Sequence, residues 1–146
     1  MRKTLISLSF ILPLLTVNLY SQTAKPGETL TIHVSGFEKH AGQVLVCLYR
    51  KGDKVPMKPF MQVKGEIINK ASDIIIPGIP YGEYAAIVVH DLNSNGRIDH
   101  KWGIPAEPMG YTNNWKLGLF SGMPTFEKLK FIFSATRSTI VVKMDE

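Results

Sequence analysis

Short segments that alternate apolar with polar residues recur along this chain between glycine and proline turns, and no stretch shows the 3.6-residue period of a useful helix. That pattern restricts the chain to an all-β fold. Leu30-Thr31-Ile32-His33-Val34 alternates, Gly36 and the Lys39 to Gly42 stretch interrupt it, and Val44 to Tyr49 resumes as an apolar run, as expected of paired antiparallel strands. Further candidate strands are Glu66 to Asn69, Asp73 to Ile76, Tyr84 to His90, Leu129 to Phe133 and Thr139 to Met144. About seven short strands predict a single antiparallel β-sandwich with one buried face per sheet.

The N-terminus has its own composition. Arg2 and Lys3 precede an almost unbroken apolar run from Leu5 to Leu15, followed by a polar exit through Asn18, Ser21 and Gln22. This reads as a signal peptide over residues 1–21, leaving a domain over 22–146. The competing reading, a membrane anchor, is opposed by Ser7, Ser9, Pro13, Thr16 and Asn18, which interrupt the run, so no stable membrane span is expected in the mature form. The expected location is therefore periplasmic or secreted. Loss of Arg2 and Lys3 with the leader lowers the formal charge from +5 to +3, and the remaining cations are scattered, which argues against nucleic acid as a partner. The single Cys47 excludes an intrachain disulfide and, within the Val44 to Tyr49 run, is expected to act as a small buried hydrophobe.

Ile76-Pro77-Gly78-Ile79-Pro80-Tyr81-Gly82-Glu83-Tyr84 delivers Tyr84 into the next strand, where its ring can be buried while its hydroxyl finds a backbone partner. That strand runs to His90, expected to pack against or hydrogen-bond the following loop rather than act as a ligand. Between Asp91 and Lys128 no periodicity is sustained, and a structureless excursion of that length is uncommon in a compact domain. Its aromatics, Trp102, Tyr111, Trp115, Phe120 and Phe126, predict an ordered loop pinned by packing.

The excursion begins with Asp91-Leu92-Asn93-Ser94-Asn95-Gly96-Arg97-Ile98-Asp99, oxygen-bearing side chains at alternate positions around one glycine. This is calcium-loop spacing: Ca²⁺ takes six to eight oxygen ligands, and Gly96 permits the turn that points successive side chains inward. The expected ligands are Asp91, Asn93, Asn95 and Asp99, with the Arg97 carbonyl, water and Glu107 folded back. The twelfth loop position is Trp102 rather than glutamate, and no helices flank it, so this is not an EF-hand. Two loop carboxylates imply a dissociation constant on the order of 10⁻⁴ to 10⁻³ M, tighter if Glu107 joins. A metal-free Asx-rich turn is the alternative.

The chain resembles the bacterial family called domain of unknown function 2141. The resemblance rests on Gly36, Gly42-Gln43-Val44, Gly78-Ile79-Pro80-x-Gly82-x-Tyr84 and His90-Asp91-x-Asn93-x-Asn95-Gly96-x-x-Asp99. It extends through Gly103-Ile104-Pro105-x-Glu107, Gly110-Tyr111-x-Asn113-Asn114 and Pro124-x-Phe126-Glu127. It implies export and a transthyretin-like or immunoglobulin-like sandwich, and carries no assigned function.

Three function classes compete. A calcium-stabilised structural or accessory protein of the envelope, or a secreted one, needs nothing the residues fail to supply. A carbohydrate- or peptide-binding module would use aromatics of the 100–127 loop, with Trp102, Tyr111 and Trp115 as stacking faces and Asn113 and Asn114 as hydrogen-bonding groups; the same rings could instead pack the loop onto the sandwich. A glycan or an envelope protein is accordingly the expected partner. An enzyme is not expected: no nucleophile elbow, zincin helix or phosphate-binding loop is present, and Asp99 and Glu107, the one candidate carboxylate pair, have roles beside the metal.

Overall fold

Chain reversals at Gly36, Gly52 and Gly78, all at positive φ, separate the early strands. A computed structural model describes residues 28–118 and 120–145. The expected signal peptide, 1–21, and the first residues of the expected domain lie outside them. In chain order the strands are β1 (Thr29–Ser35), β2 (Gln43–Arg50), β3 (Met61–Gly65), β4 (Ala71–Pro77), β5 (Gly82–Asp91), β6 (His100–Lys101), β7 (Ile104–Pro105), β8 (Met109–Tyr111), β9 (Phe131–Phe133) and β10 (Thr139–Asp145). A 3₁₀ turn (Thr112–Asn114) and one helical turn, α1 (Phe126–Leu129), complete the described elements.

Eight strands form one sheet in the order β3-β2-β5-β8-β10-β1-β4, with β9 sharing an edge of β5 with β8. The two ends of that path approach each other: a Cβ on Gly65 of β3 would collide with Ile74 Cδ1 of β4. The sheet is therefore mostly closed around its core. β6 and β7 form a separate ribbon.

Three strand expectations need correction. Leu129, expected to open the Leu129 to Phe133 strand, ends the helical turn α1 instead, and β9 begins at Phe131. The pairing is not wholly antiparallel, because β1 and β10 run parallel, with Ile32 beside Ile140 and Val34 beside Val142. Alternation reports which face is buried but not strand direction. The expected strand Glu66 to Asn69 is displaced, since Asn69 and Lys70 take positive φ in a tight reversal and the strand lies upstream in β3.

Burial follows the alternation in β1, β4 and β10, whose inward residues Ile32, Val34, Ile74, Ile76, Ile140 and Val142 meet Val46, Val88 and Phe133 in the enclosed core. Tyr84 buries its ring there and donates its hydroxyl to the Pro80 carbonyl at 2.9 Å, as its turn predicted. Against the expectation of one buried face per sheet, β2 and β5 are buried on both faces, because the excursion packs over their outer side. Their outer residues Leu45, Cys47, Tyr49, Ile87 and Val89 form a second apolar layer with Tyr111, Phe126 and Leu129 from the excursion. Burial of each such large side chain stabilises by about 1.5–3 kcal/mol, so this layer holds the excursion on the sheet. Thr112 adds a polar pin: its hydroxyl accepts the Ala86 N–H at 3.0 Å and donates to the Leu129 carbonyl at 2.6 Å. Cys47 is buried there as a free thiol, and desolvation raises its pKa.

Candidate functional site

β5 ends on two buried polar residues, His90 and Asp91. His90 Nε2 lies 2.7 Å from the Ala41 carbonyl and its ring meets Phe37 edge-on, so the histidine ties β5 to the turn before β2. The Asp91 carboxylate organises the loop. Its Oδ1 accepts the Asn95 N–H at 3.1 Å, and its Oδ2 accepts the Gly96 N–H and the Gln43 side-chain amide, both at 2.7 Å. Burial pushes this carboxyl up, but the bonds from Gln43, Gly96, Asn95 and Ser94 outweigh that effect and hold it below its ordinary value.

The other predicted ligands gather beside it. Asn93 Oδ1 accepts the Asn95 N–H at 3.1 Å and Asn95 Oδ1 accepts the Arg97 N–H at 2.7 Å, two Asx turns in succession. The Asn93 side-chain amide reaches Asp99 Oδ2 at 2.7 Å, and that of Asn95 reaches both Asp99 oxygens at 3.0 and 3.1 Å. Glu107 does fold back: its Oε1 accepts the Leu92 N–H at 3.1 Å and its Oε2 the Asp99 N–H at 3.2 Å. Desolvation, followed by the negative charges of Asp91 and Asp99, raises the Glu107 pKa although its two N–H bonds act to lower it. Arg97, expected to offer its carbonyl, is held through its N–H. Among the described residues no group of three or more His, Cys, Asp or Glu side chains is arranged to hold a metal ion.

Two residues that spacing did not reveal belong to this site. Gln43 comes from β2. Lys64 comes from β3 and lays its ammonium over Gly96, where a Cβ would lie 2.5 Å from Nζ.

The aromatic set is dispersed. Trp102 and Gly103 both take positive φ at the two-residue turn of the β6–β7 ribbon, and Trp102 is 92% exposed. Tyr111 is buried, and its ring meets the half-buried Trp115 at 85°, so this pair offers no common stacking plane. Asn113 donates to the Lys128 carbonyl at 3.1 Å, and Asn114 is exposed. Phe120 is also exposed, so only part of the aromatic content pins the excursion.

A family model described as "Uncharacterized protein conserved in bacteria (DUF2141)" matches residues 32–141. The chain belongs to this family. The DUF2141 match runs from within β1 to within β10 and so takes in the loop and the whole excursion. Motifs far apart in this DUF2141 sequence meet in space: Gly42, at φ +88°, abuts Asp91 so closely that a Cβ would run into the Asp91 carbonyl oxygen. Neither a curated protein nor a solved structure matches the chain. No described helix is long and apolar enough to cross a membrane.

Proposed function

We propose that this DUF2141 protein is an exported, calcium-stabilised accessory domain of the sandwich type, without catalytic activity, whose ion orders the 91–128 excursion. The observation that carries the reading is the return of Glu107 to the Asp91–Asp99 loop, where its oxygens accept the Leu92 and Asp99 N–H groups and its carboxyl feels the charges of Asp91 and Asp99. The donors are hard oxygens, suited to calcium rather than to a soft metal. The non-enzymatic reading is supported by the use of both Glu107 oxygens on backbone N–H groups.

Thermal unfolding in chelator and in millimolar calcium tests the proposal. At free calcium 100-fold above its dissociation constant, linkage adds about 2.7 kcal/mol and raises the melting temperature by several degrees. Asp91→Ala and Asp99→Ala should erase that shift, and magnesium should produce much less, because it holds its waters and demands octahedral geometry. Identical melting curves in calcium and chelator would leave the loop as an Asx turn.

A second reading, capture of glycan or peptide, draws support from the exposure of Trp102 at the ribbon tip.

A further inference from the structure

Beneath the excursion, on the outer face of β5, lies a cavity of about 370 Å³. Ile87 forms its floor, and Ile98, Ile104, Met109, Tyr111 and Leu117 form its walls. Among the described residues no carboxylate, ammonium or guanidinium lines it, and His100 is the one imidazole. The Tyr111 hydroxyl is turned to Met109 Sδ at 3.4 Å within the wall. A hollow of this composition gives water few hydrogen-bonding partners. At its rim Met57, Ile104, Leu117 and Met123 leave apolar surface in solvent, an arrangement that marks binding sites rather than ordinary surface.

The size is informative. An engineered apolar cavity of about 150 Å³ accepts benzene, so this one has room for two fused or linked rings or a short alkyl chain. Flexible thioethers from Met57, Met109 and Met123 let the walls adapt to either shape. A neighbouring hollow of about 240 Å³ shares Ile104, Pro105, Met109, Tyr111 and Leu117 with the first and adds Glu107 and Asp145. Asp145 is paired with Lys116, so with Glu107 the polar end carries more negative than positive charge.

We propose that the cavity binds a small apolar amine, its hydrocarbon body against Ile87 and Met109 and its amino head toward Glu107 and Asp145. The cavity borders the ribbon through His100, Gly103 and Ile104, and its polar end shares Glu107 with the proposed calcium loop, so bound calcium and the amino head compete for that carboxylate while the apolar part of the site does not rest on metal binding. A concave, walled hollow suits a compact ligand better than a flat protein face.

The purified protein, titrated with the uncharged fluorescent probe N-phenyl-1-naphthylamine, which reports the apolar cavity, tests this. Saturable one-site enhancement is expected, with octylamine displacing the probe better than octanoate. Ile104→Lys and Leu117→Lys change exposed rim residues shared by both hollows, so melting temperature should be unchanged while affinity falls roughly tenfold or more, because an ammonium there is set against the apolar body and also repels the amino head. Absence of saturable binding by the folded wild type, or undiminished binding in both variants, would overturn the site. Equal displacement by octanoate would overturn the amine assignment. Self-association of the wild type that both variants abolish would also overturn the proposal, since a second copy would then cover the rim.

Discussion

The side-chain amide of Gln43 donates to Asp91 Oδ2 across 2.7 Å, joining the first residue of β2 to the last of β5. The bond stands at the end of the β2–β5 ladder, where Gln43 and Asp91 are register partners. It thereby fixes the carboxylate around which the loop turns. Gly42 makes the approach possible, since any side chain there would meet the Asp91 backbone.

Gln43→Ala should destabilise the fold by about 1–3 kcal/mol, the penalty for leaving a buried carboxylate short of a donor. Gly42→Ala should be at least as damaging: alanine is strained by roughly 1–2 kcal/mol at positive φ, and the Asp91 backbone cannot swing aside as a side chain would. Denaturant unfolding of both variants checks this. A neutral Gly42→Ala would mean that β2 and the loop are not in register.

Glu107 and Asp91 should respond to pH in opposite senses and in different windows. The raised Glu107 carboxyl binds its proton more tightly in the folded chain, so in chelator its contribution falls as pH climbs from the ordinary 4.5 through the folded value. The lowered Asp91 carboxyl stabilises the fold above its ordinary 3.8, and that contribution is lost as pH falls through the folded value. Calcium favours ionised Glu107, so the first slope should flatten when the ion saturates. Melts over about pH 2 to 7, with and without calcium, report both windows, and Glu107→Ala should remove the calcium-dependent difference in slope.

Lys64→Gln should strengthen calcium binding, by roughly threefold to tenfold at low salt, because an ammonium over Gly96 repels a divalent ion approaching the loop. Added salt should narrow the gap. Titration calorimetry on both proteins measures the difference, and equal affinities would show that the ammonium does not compete.

The two tryptophans should separate cleanly. Trp102→Ala should change stability by no more than about 0.5 kcal/mol, as for an exposed residue away from the core. Trp115→Ala should lose about 1–3 kcal/mol, because its ring packs on Tyr111 and faces the Lys128 ammonium at 5.6 Å. Loss of glycan-array binding in Trp102→Ala at unchanged melting temperature would support the binding-module reading.

What could be read in the sequence follows from how far each signal reaches. Strict alternation made β1, β4 and β10 legible because one face of each meets the core. The runs Val44 to Tyr49 and Ala85 to Val89 do not alternate, since the excursion covers their second face, a layer that the expectation of one buried face per sheet left out. β6, β7 and β8 are two or three residues long, too short for a period to register, which made the excursion look structureless. At the loop, spacing selected Asp91, Asn93, Asn95 and Asp99. Glu107 arrives because the β6–β7 ribbon turns the chain back, while Gln43 and Lys64 come from strands distant in sequence, where no local pattern could point to them.

The parallel placement of β10 between β1 and β8 has a consequence for biogenesis. Until residues 139–145 emerge, β1 lacks its neighbour along Thr31–Ser35 and β8 lacks its outer one, leaving two strand edges bare. The sheet therefore closes only after almost the whole chain has been delivered, through contacts of very high sequence separation. If the chain is exported unfolded, as proposed above, such a seam would delay closure and keep the polypeptide threadable until β10 arrives.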